Sequence, residues 1–316
     1  MTEDQLAQLF MPHIIERRSA LSRGMRLVHY TSAEGAHRII TGRQMWLRNA
    51  QLMNDFSEVQ HGLNCLYAAW ESPPGKELQE MINRVKGGLR DEIAALFDGH
   101  TNNLRTQTYI TCVSEHRDEE DQLGRLSMWR AYGGRNGVAL VLNNGAFDAE
   151  TDEMQVYSSP VFYQSVEEFT EWFAHWSKAI VDAEQALSAL GSEVVQNWLF
   201  ATFRSFALCT KHPAFAEERE WRVFHSPAFE ATSDWIEPSN EVVHGVPQPV
   251  MKLMLRDDPD RGITGVAPAT LVERLIIGPS EYPLQIFQSL AAALEEAGVE
   301  HPTSKISISN IPLRSQ

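Results

Sequence analysis

The sequence predicts a mixed α+β fold: one central β-sheet with large helical insertions. Strand candidates are scattered from residue 25 to residue 308 with helical blocks between them, which argues for a shared sheet and against separate all-helical and all-strand modules. Their spacing lacks the regular alternation of a doubly wound parallel sheet. The chain also carries neither GxGxxG after a strand nor GxxxxGK[ST], so the Rossmann and P-loop phosphate cradles are excluded. The resulting division is a helical extension over residues 1–24 and a single α+β domain over 25–316, with helical insertions at about 57–97 and 166–209.

The first strand is expected over Met25–Tyr30 and runs straight into a helix over Ser32–Arg43, with Thr31 and Glu34 at capping-box spacing and Gly42 as its stop. Met45–Leu47 reads as a brief strand. Asp55 and Glu58 are again spaced as a capping box, ahead of a helix whose Val59, Leu63, Leu66, Tyr67 and Trp70 form an apolar stripe. Ser72-Pro73-Pro74-Gly75 reads as a chain break before a longer helix over Glu77–Phe97. Strands follow at Thr108–Ser114, Gly137–Leu142 and within Met154–Tyr163, all rich in β-branched and aromatic residues. The acidic run Asp118–Asp121 reads as a solvated loop or helix start. Residues 166–209 predict two helices with Phe169, Trp172, Phe173 and Trp176 as a core stripe. Strands at Glu220–His225, Val250–Leu255 and Leu271–Ile277, a helix over Pro283–Ala297 and a last strand at Lys305–Ile308 complete the chain.

With 316 residues, 43% hydrophobic and 22% charged, the composition is that of an ordinary globular protein and excludes a disordered or disulfide-stapled chain. Forty-two acidic residues against 27 basic ones leave a formal charge of -15, which argues against a broad grip on nucleic-acid phosphates. Cys65, Cys112 and Cys209 lack zinc-ligand spacing and sit among apolar neighbours, so reduced core cysteines and a reducing compartment are expected. The acidic N-terminus does not resemble a signal peptide, and no run of 18 apolar residues occurs; the expectation is a cytoplasmic protein with no membrane association.

Three segments carry more polar chemistry than a core requires. His29-Tyr30-Thr31 places an imidazole and a hydroxyl at a strand end; a satisfied core histidine is the alternative. Ser127–Tyr132 supplies Ser127, Trp129, Arg130 and Tyr132, on a segment readable as strand or helix. In Glu217–Arg222, strand periodicity puts Glu218 and Glu220 on one face, where two carboxylates require a cleft or a solvated edge, with Arg219 and Arg222 available to neutralise them. Acyl-transfer catalysis has no support, because no GxSxG elbow or ordered Ser-His-Asp set appears. Asp55, Glu58, His61 and His29 form at most a weak metal pattern, and none is assigned.

The segments HYTSAEGAHRIITGRQMWLRNAQLMNDFSEVQHG, SMWRAYGGRNGVAL, KHPAFAEEREWRVF and VERLIIGPSEYPLQIFQSLAAALEEAG resemble the bacterial domain-of-unknown-function family 2971, over about residues 27–313. His29-Tyr30-Thr31 before a short helix, and Glu218-Arg219-Glu220 preceded by Lys211–Phe215, are more distantly similar to ADP-ribosyltransferase domains. That second resemblance implies a transferase-like fold that cleaves NAD as its substrate. In it His29, Tyr30 and Thr31 hold the ribose, Trp129 or Tyr132 stacks on nicotinamide, Arg130 holds a phosphate, and Glu220 is catalytic with Glu218 assisting. The acceptor would be a protein, a nucleic acid or water, and a toxin or antiphage effector is one expectation. The alternatives are a non-catalytic nucleotide sensor using the same cleft and a metal-dependent nuclease using Asp55, Glu58 and the later carboxylates.

Overall fold

The computed structural model describes residues 1–52, 58–147, 152–243 and 245–312. Two helices open the chain, α1 (Glu3–Phe10) and α2 (Pro12–Ser22). Then come β1 (Arg26–Ser32), α3 (Ala33–Gly42), β2 (Gln44–Asn49), and the helices α4 (Glu58–Glu71), α5 (Pro73–Val85) and α6 (Leu89–Thr106). Next are β3 (Tyr109–His116), the single turn α7 (Leu126–Met128), β4 (Gly137–Leu142), β5 (Tyr157–Pro160) and β6 (Phe162–Tyr163). A second helical block, α8 (Val166–Asp182), α9 (Glu184–Leu190) and α10 (Ser192–Cys209), leads to β7 (Thr210–Lys211), β8 (Glu220–His225), β9 (Ile236–Val243) and β10 (Val246–Met254). The chain closes with α11 (Pro268–Leu271), β11 (Val272–Ile277), α12 (Pro283–Glu296) and β12 (Ile306–Ile308).

Ten of the described strands form one mixed sheet, in the order β12-β11-β4-β1-β3-β2-β10-β9, with β8 added beside β3 and β5 beside β8. The α+β expectation is met. The pairing around β3 positions the site. One edge of β3 is taken by β8, which pairs with residues 109–114. The other edge is divided: β1 pairs with Ser114, Glu115 and His116, whereas β2 pairs with Tyr109 and Ile110. Both run antiparallel to β3, so β1 and β2 are parallel to each other, joined by α3, and they part where they meet β3.

Three apolar clusters cover the sheet. The helical block buries Phe169, Phe173, Trp176, Phe203 and Phe206 against Ile110 and Phe224. A second cluster, under α3 and α12, holds Leu27, Leu47, Leu140, Leu275, Trp221 and Trp235. A smaller one packs Val28, Tyr30, Met128, Trp129, Ala139, Val141 and Ile276. Gly62 lets α4 and α10 touch, since a Cβ there would land on the carbonyl oxygens of Phe206 and Ala207.

Several sequence expectations are corrected. Ser32, not Thr31, caps α3 by accepting from the Gly35 amide, and the left-handed residue ending that helix is Arg43 (φ 48°). Ser72-Pro73-Pro74-Gly75 starts a helix: Ser72 caps α5 and proline occupies its first turn, where no amide donor is needed. The single helix expected over Glu77–Phe97 divides between Val85 and Leu89, with Gly88 at φ 81°. Residues 166–209 hold three helices, divided at Ala183 and Gly191. The acidic run starts a 3-10 helix over residues 118–120, one of the two readings expected, with Asp118 and Glu119 exposed, while Asp121 pairs with Arg26 and His116 and Glu120 with Arg219. The capping position read at Asp55 lies outside the described residues. Among the described residues no helix is long and apolar enough to cross a membrane.

Candidate active site

A cleft of about 640 Å³ opens where β1 and β2 separate. Its walls are the end of β1, the first turns of α3, β2, the middle of β3 and residues 130–134, and its far end reaches Lys211, Glu218 and Glu220.

His29 stands at the fork. Its Nδ1 lies 2.8 Å from the carbonyl oxygen of Cys112, on the stretch of β3 edge between the two strand pairings. A carbonyl only accepts, so Nδ1 carries the hydrogen. Burial holds the ring's pKa below the usual histidine value, against the opposing effect of that backbone hydrogen bond, so the ring is neutral. Nε2 is then a lone-pair acceptor, with no hydrogen-bond partner among the described residues, on a side chain that lines the cleft. Thr31, two residues on, lines the same wall, and Gly35 is shaped to it, since a Cβ there would collide with the Thr31 hydroxyl.

The carboxylates sit at the opposite end. Glu218 ends a short 3-10 turn over residues 213–218, Arg219 adopts a left-handed conformation (φ 47°), and Glu220 begins β8. Strand periodicity therefore does not place Glu218 and Glu220 on one face; a kink brings them together. β8 is internal and fully buried between β3 and β5, so the solvated-edge alternative does not hold. Lys211 Nζ lies 2.6 Å from Glu218 Oε2 and 3.0 Å from Glu220 Oε2. Arg222 Nε donates to Glu220 Oε1 at 2.9 Å, and the Tyr132 hydroxyl donates to Glu218 Oε1 at 2.8 Å. Arg222 neutralises Glu220, whereas Arg219 turns away to Glu120 and Lys211 takes its place, contacting both carboxylates. Burial opposes charge on Glu220, but Arg222 and Lys211 beside it outweigh that and hold its carboxyl well below the ordinary range, helped by a hydrogen bond from the Cys112 thiol. Tyr132 is pushed the other way, by burial and by the charge of Glu218, and stays a protonated donor.

The middle segment resolves as one helical turn followed by a π-helical turn over Trp129–Gly133. Tyr132 and Arg130 line the cleft. Trp129 does not: it is 3% exposed, its indole donates to the Leu123 carbonyl, and a Cβ on Gly124, Gly137 or Gly278 would strike its ring. With the ring enclosed by glycines and by Tyr30 edge-on at 4.8 Å, Trp129 has no free face for nicotinamide. Tyr30 borders the cleft but is 7% exposed, and its hydroxyl accepts from the Arg125 amide. Ser127 is not among the cleft residues.

Sequence reasoning missed four contributors. Cys112, read as a core cysteine, is half-buried in the cleft, whereas Cys65 and Cys209 are buried, with thiols pushed up to about 11 by burial. Arg38 and Arg48 add positive charge to the β2 side. Lys211 was visible as part of the segment before the glutamates, but a lone lysine gave no sign that it would be 4% exposed between two carboxylates. His61 Nε2 meets the Gln164 carbonyl at 2.9 Å; Asp55 and the Glu58 side chain, which the weak metal pattern also needs, lie outside the described residues, among which no group of three His, Cys, Asp or Glu is placed to hold a metal ion.

Fold and site together define an α+β protein with a buried carboxylate pair in a cleft at the fork of its sheet. Residues 128–223 match the model of DUF2971, a protein family of unknown function, which bears out over that segment the resemblance read from the motifs. The matched stretch contains Tyr132, Lys211, Glu218, Glu220 and Arg222, while His29 and Thr31 lie before it. Comparison with curated proteins and with solved structures finds no match.

Proposed function

We propose that the protein is an ADP-ribosyltransferase-like enzyme that cleaves the nicotinamide–ribose bond of NAD and passes ADP-ribose to a macromolecule or to water. One observation carries the reading: His29, from β1, and the Glu218–Glu220 pair, from the turn that leads into β8, line a single cleft. Its volume of about 640 Å³ suits a dinucleotide, and Arg38, Arg48 and Arg130 line it where a pyrophosphate would need cations. In this reading His29 Nε2 accepts from a ribose hydroxyl, and Tyr132 flanks the nicotinamide. The bond from C1′ to the ring nitrogen breaks with its electron pair leaving on nicotinamide, and the ionised carboxylates stabilise the positive charge left on the ribose. An oxygen or nitrogen of the acceptor then bonds to C1′ and gives up its proton. With a protein or nucleic acid as acceptor, a toxin or antiphage role follows.

A nucleotide sensor that binds without turnover is favoured by a different observation: both Glu220 oxygens are already engaged, one by Arg222 and one by Lys211. The test is incubation of the purified protein with NAD and a mixed pool of protein, DNA and RNA, with and without chelator, with nicotinamide followed by mass spectrometry and NAD binding by calorimetry. Release that disappears in Glu220→Gln supports the transferase. Binding without release selects the sensor, and release abolished by chelator selects a metal enzyme.

A further inference from the structure

We propose that Lys211 is a positioning residue that keeps Glu218 and Glu220 together as two ionised carboxylates facing the cleft. Two carboxylates that share a site repel, and one of them then retains its proton to much higher pH unless a cation lies between them. Lys211 is that cation: its Nζ bonds one oxygen of each, while its side chain is 5% exposed and its ammonium lies 4.7 Å from the centre of the Phe215 ring. The backbone around it is fixed for this purpose. β7, two residues long, pairs in parallel with β6, so that Lys211 lies beside Tyr163, whose hydroxyl accepts from the Glu220 amide at 2.8 Å. The Gln164 amide donates to the Lys211 carbonyl at 3.0 Å and locks the pair.

Every element packed on the pair contributes a titratable or charged group. β8 supplies Arg222, β3 the Cys112 thiol, α10 the Cys209 thiol, the turn after α7 supplies Tyr132, β6 supplies Tyr163, and His29 on β1 lines the same cleft. Arg222 donates to Glu220 at Oε1 and Tyr132 donates to Glu218 at Oε1, while Lys211 reaches an oxygen of each carboxylate and bridges them.

The role in turnover rests on the NAD-cleaving reading, but the carboxylate pairing does not, and the experiment separates them. Glutamate carboxyl carbons are labelled with carbon-13 and titrated by NMR in the native protein, Lys211→Met and Lys211→Arg, with signals assigned through Glu218→Gln and Glu220→Gln. The expected result is that one carboxyl of the pair titrates at least about one pH unit higher in Lys211→Met and returns towards the native value in Lys211→Arg. In parallel the acid limb of the nicotinamide-release profile moves up in Lys211→Met, with kcat falling more than KM rises. An unchanged carboxyl titration in Lys211→Met overturns the proposal, as does a uniform loss of activity without movement of the acid limb. If the native protein releases no nicotinamide, the NAD reading fails while the titration still decides the role of Lys211. Lys211→Gln, which keeps a donor, replaces Lys211→Met in the titration if the latter does not fold.

Discussion

Replacing Glu220 by glutamine tests whether the buried ion pairs stabilise the protein as well as shape the cleft. The substitution keeps volume and an acceptor oxygen but removes the charge that Arg222, 1% exposed, and Lys211, 4% exposed, both contact. The Glu220 carboxyl moves from 4.5 to about 2 on folding. Each pKa unit is worth about 1.4 kcal/mol, so the ionised carboxylate contributes about 3 kcal/mol, in line with the cost of breaking a buried pair. The sign follows from linkage: the folded pKa is the lower one, so the contribution is complete above the unfolded value and is lost as pH falls from about 4.5 to about 2. Urea unfolding should therefore show Glu220→Gln about 3 kcal/mol less stable at pH 7, with the two proteins converging towards pH 2. A difference below about 1 kcal/mol at pH 7, or parallel curves down to pH 2, would refute the reasoning. Domains are usually stable by about 5–15 kcal/mol, so the variant should remain folded at neutral pH and serve as the inactive control for nicotinamide release.

Gly62→Ala should destabilise by about 2 kcal/mol, because its new methyl meets backbone oxygens of α10 that cannot rotate away; a thermal melt matching the native protein would show that the two helices separate freely. Arg130 is exposed at the cleft wall, and among the described residues it forms no ion pair, so Arg130→Glu should leave the melting temperature unchanged. Its NAD affinity, read by calorimetry, should weaken about tenfold at low salt and less at high salt; equal affinities at low salt would remove Arg130 from the phosphate site.

The elements legible in the sequence are those in which local pattern and tertiary role agree. β4 and β8 are buried at every position and β1 buries Leu27, Val28 and Tyr30, and the bounds of all three lie close to those expected. The β9–β10 hairpin was half missed because Pro238, Pro247 and Pro249 interrupt it, which an edge ribbon tolerates and a central strand would not. Gly88 divides a continuous apolar stripe that periodicity alone reads as one helix. At the site, His29, Thr31 and the two glutamates stood out because polar residues at strand ends are conspicuous. Lys211 and Cys112 did not, since each owes its place to tertiary pairing: Lys211 lies beside Tyr163 of β6, 48 residues earlier, and Cys112 sits on β3 where β1 and β2 part. Trp129 misled for the opposite reason, as an aromatic beside polar neighbours that tertiary packing encloses in glycine.

The connection from β1 to β2 has a geometric consequence. α3 leaves one prong of the fork at Ser32 and delivers the chain to the other at Gln44, while its own Glu34, Gly35, Arg38 and Ile39 face the opening. A ten-residue helix is about 15 Å long at about 1.5 Å per residue, so the chain is carried back along the strands by a rigid rod and not by a floppy loop. Adding or removing a turn would shift the start of β2 along β3 in a step of about 5 Å, which ties the length of this one helix to where the β2 wall of the cleft stands.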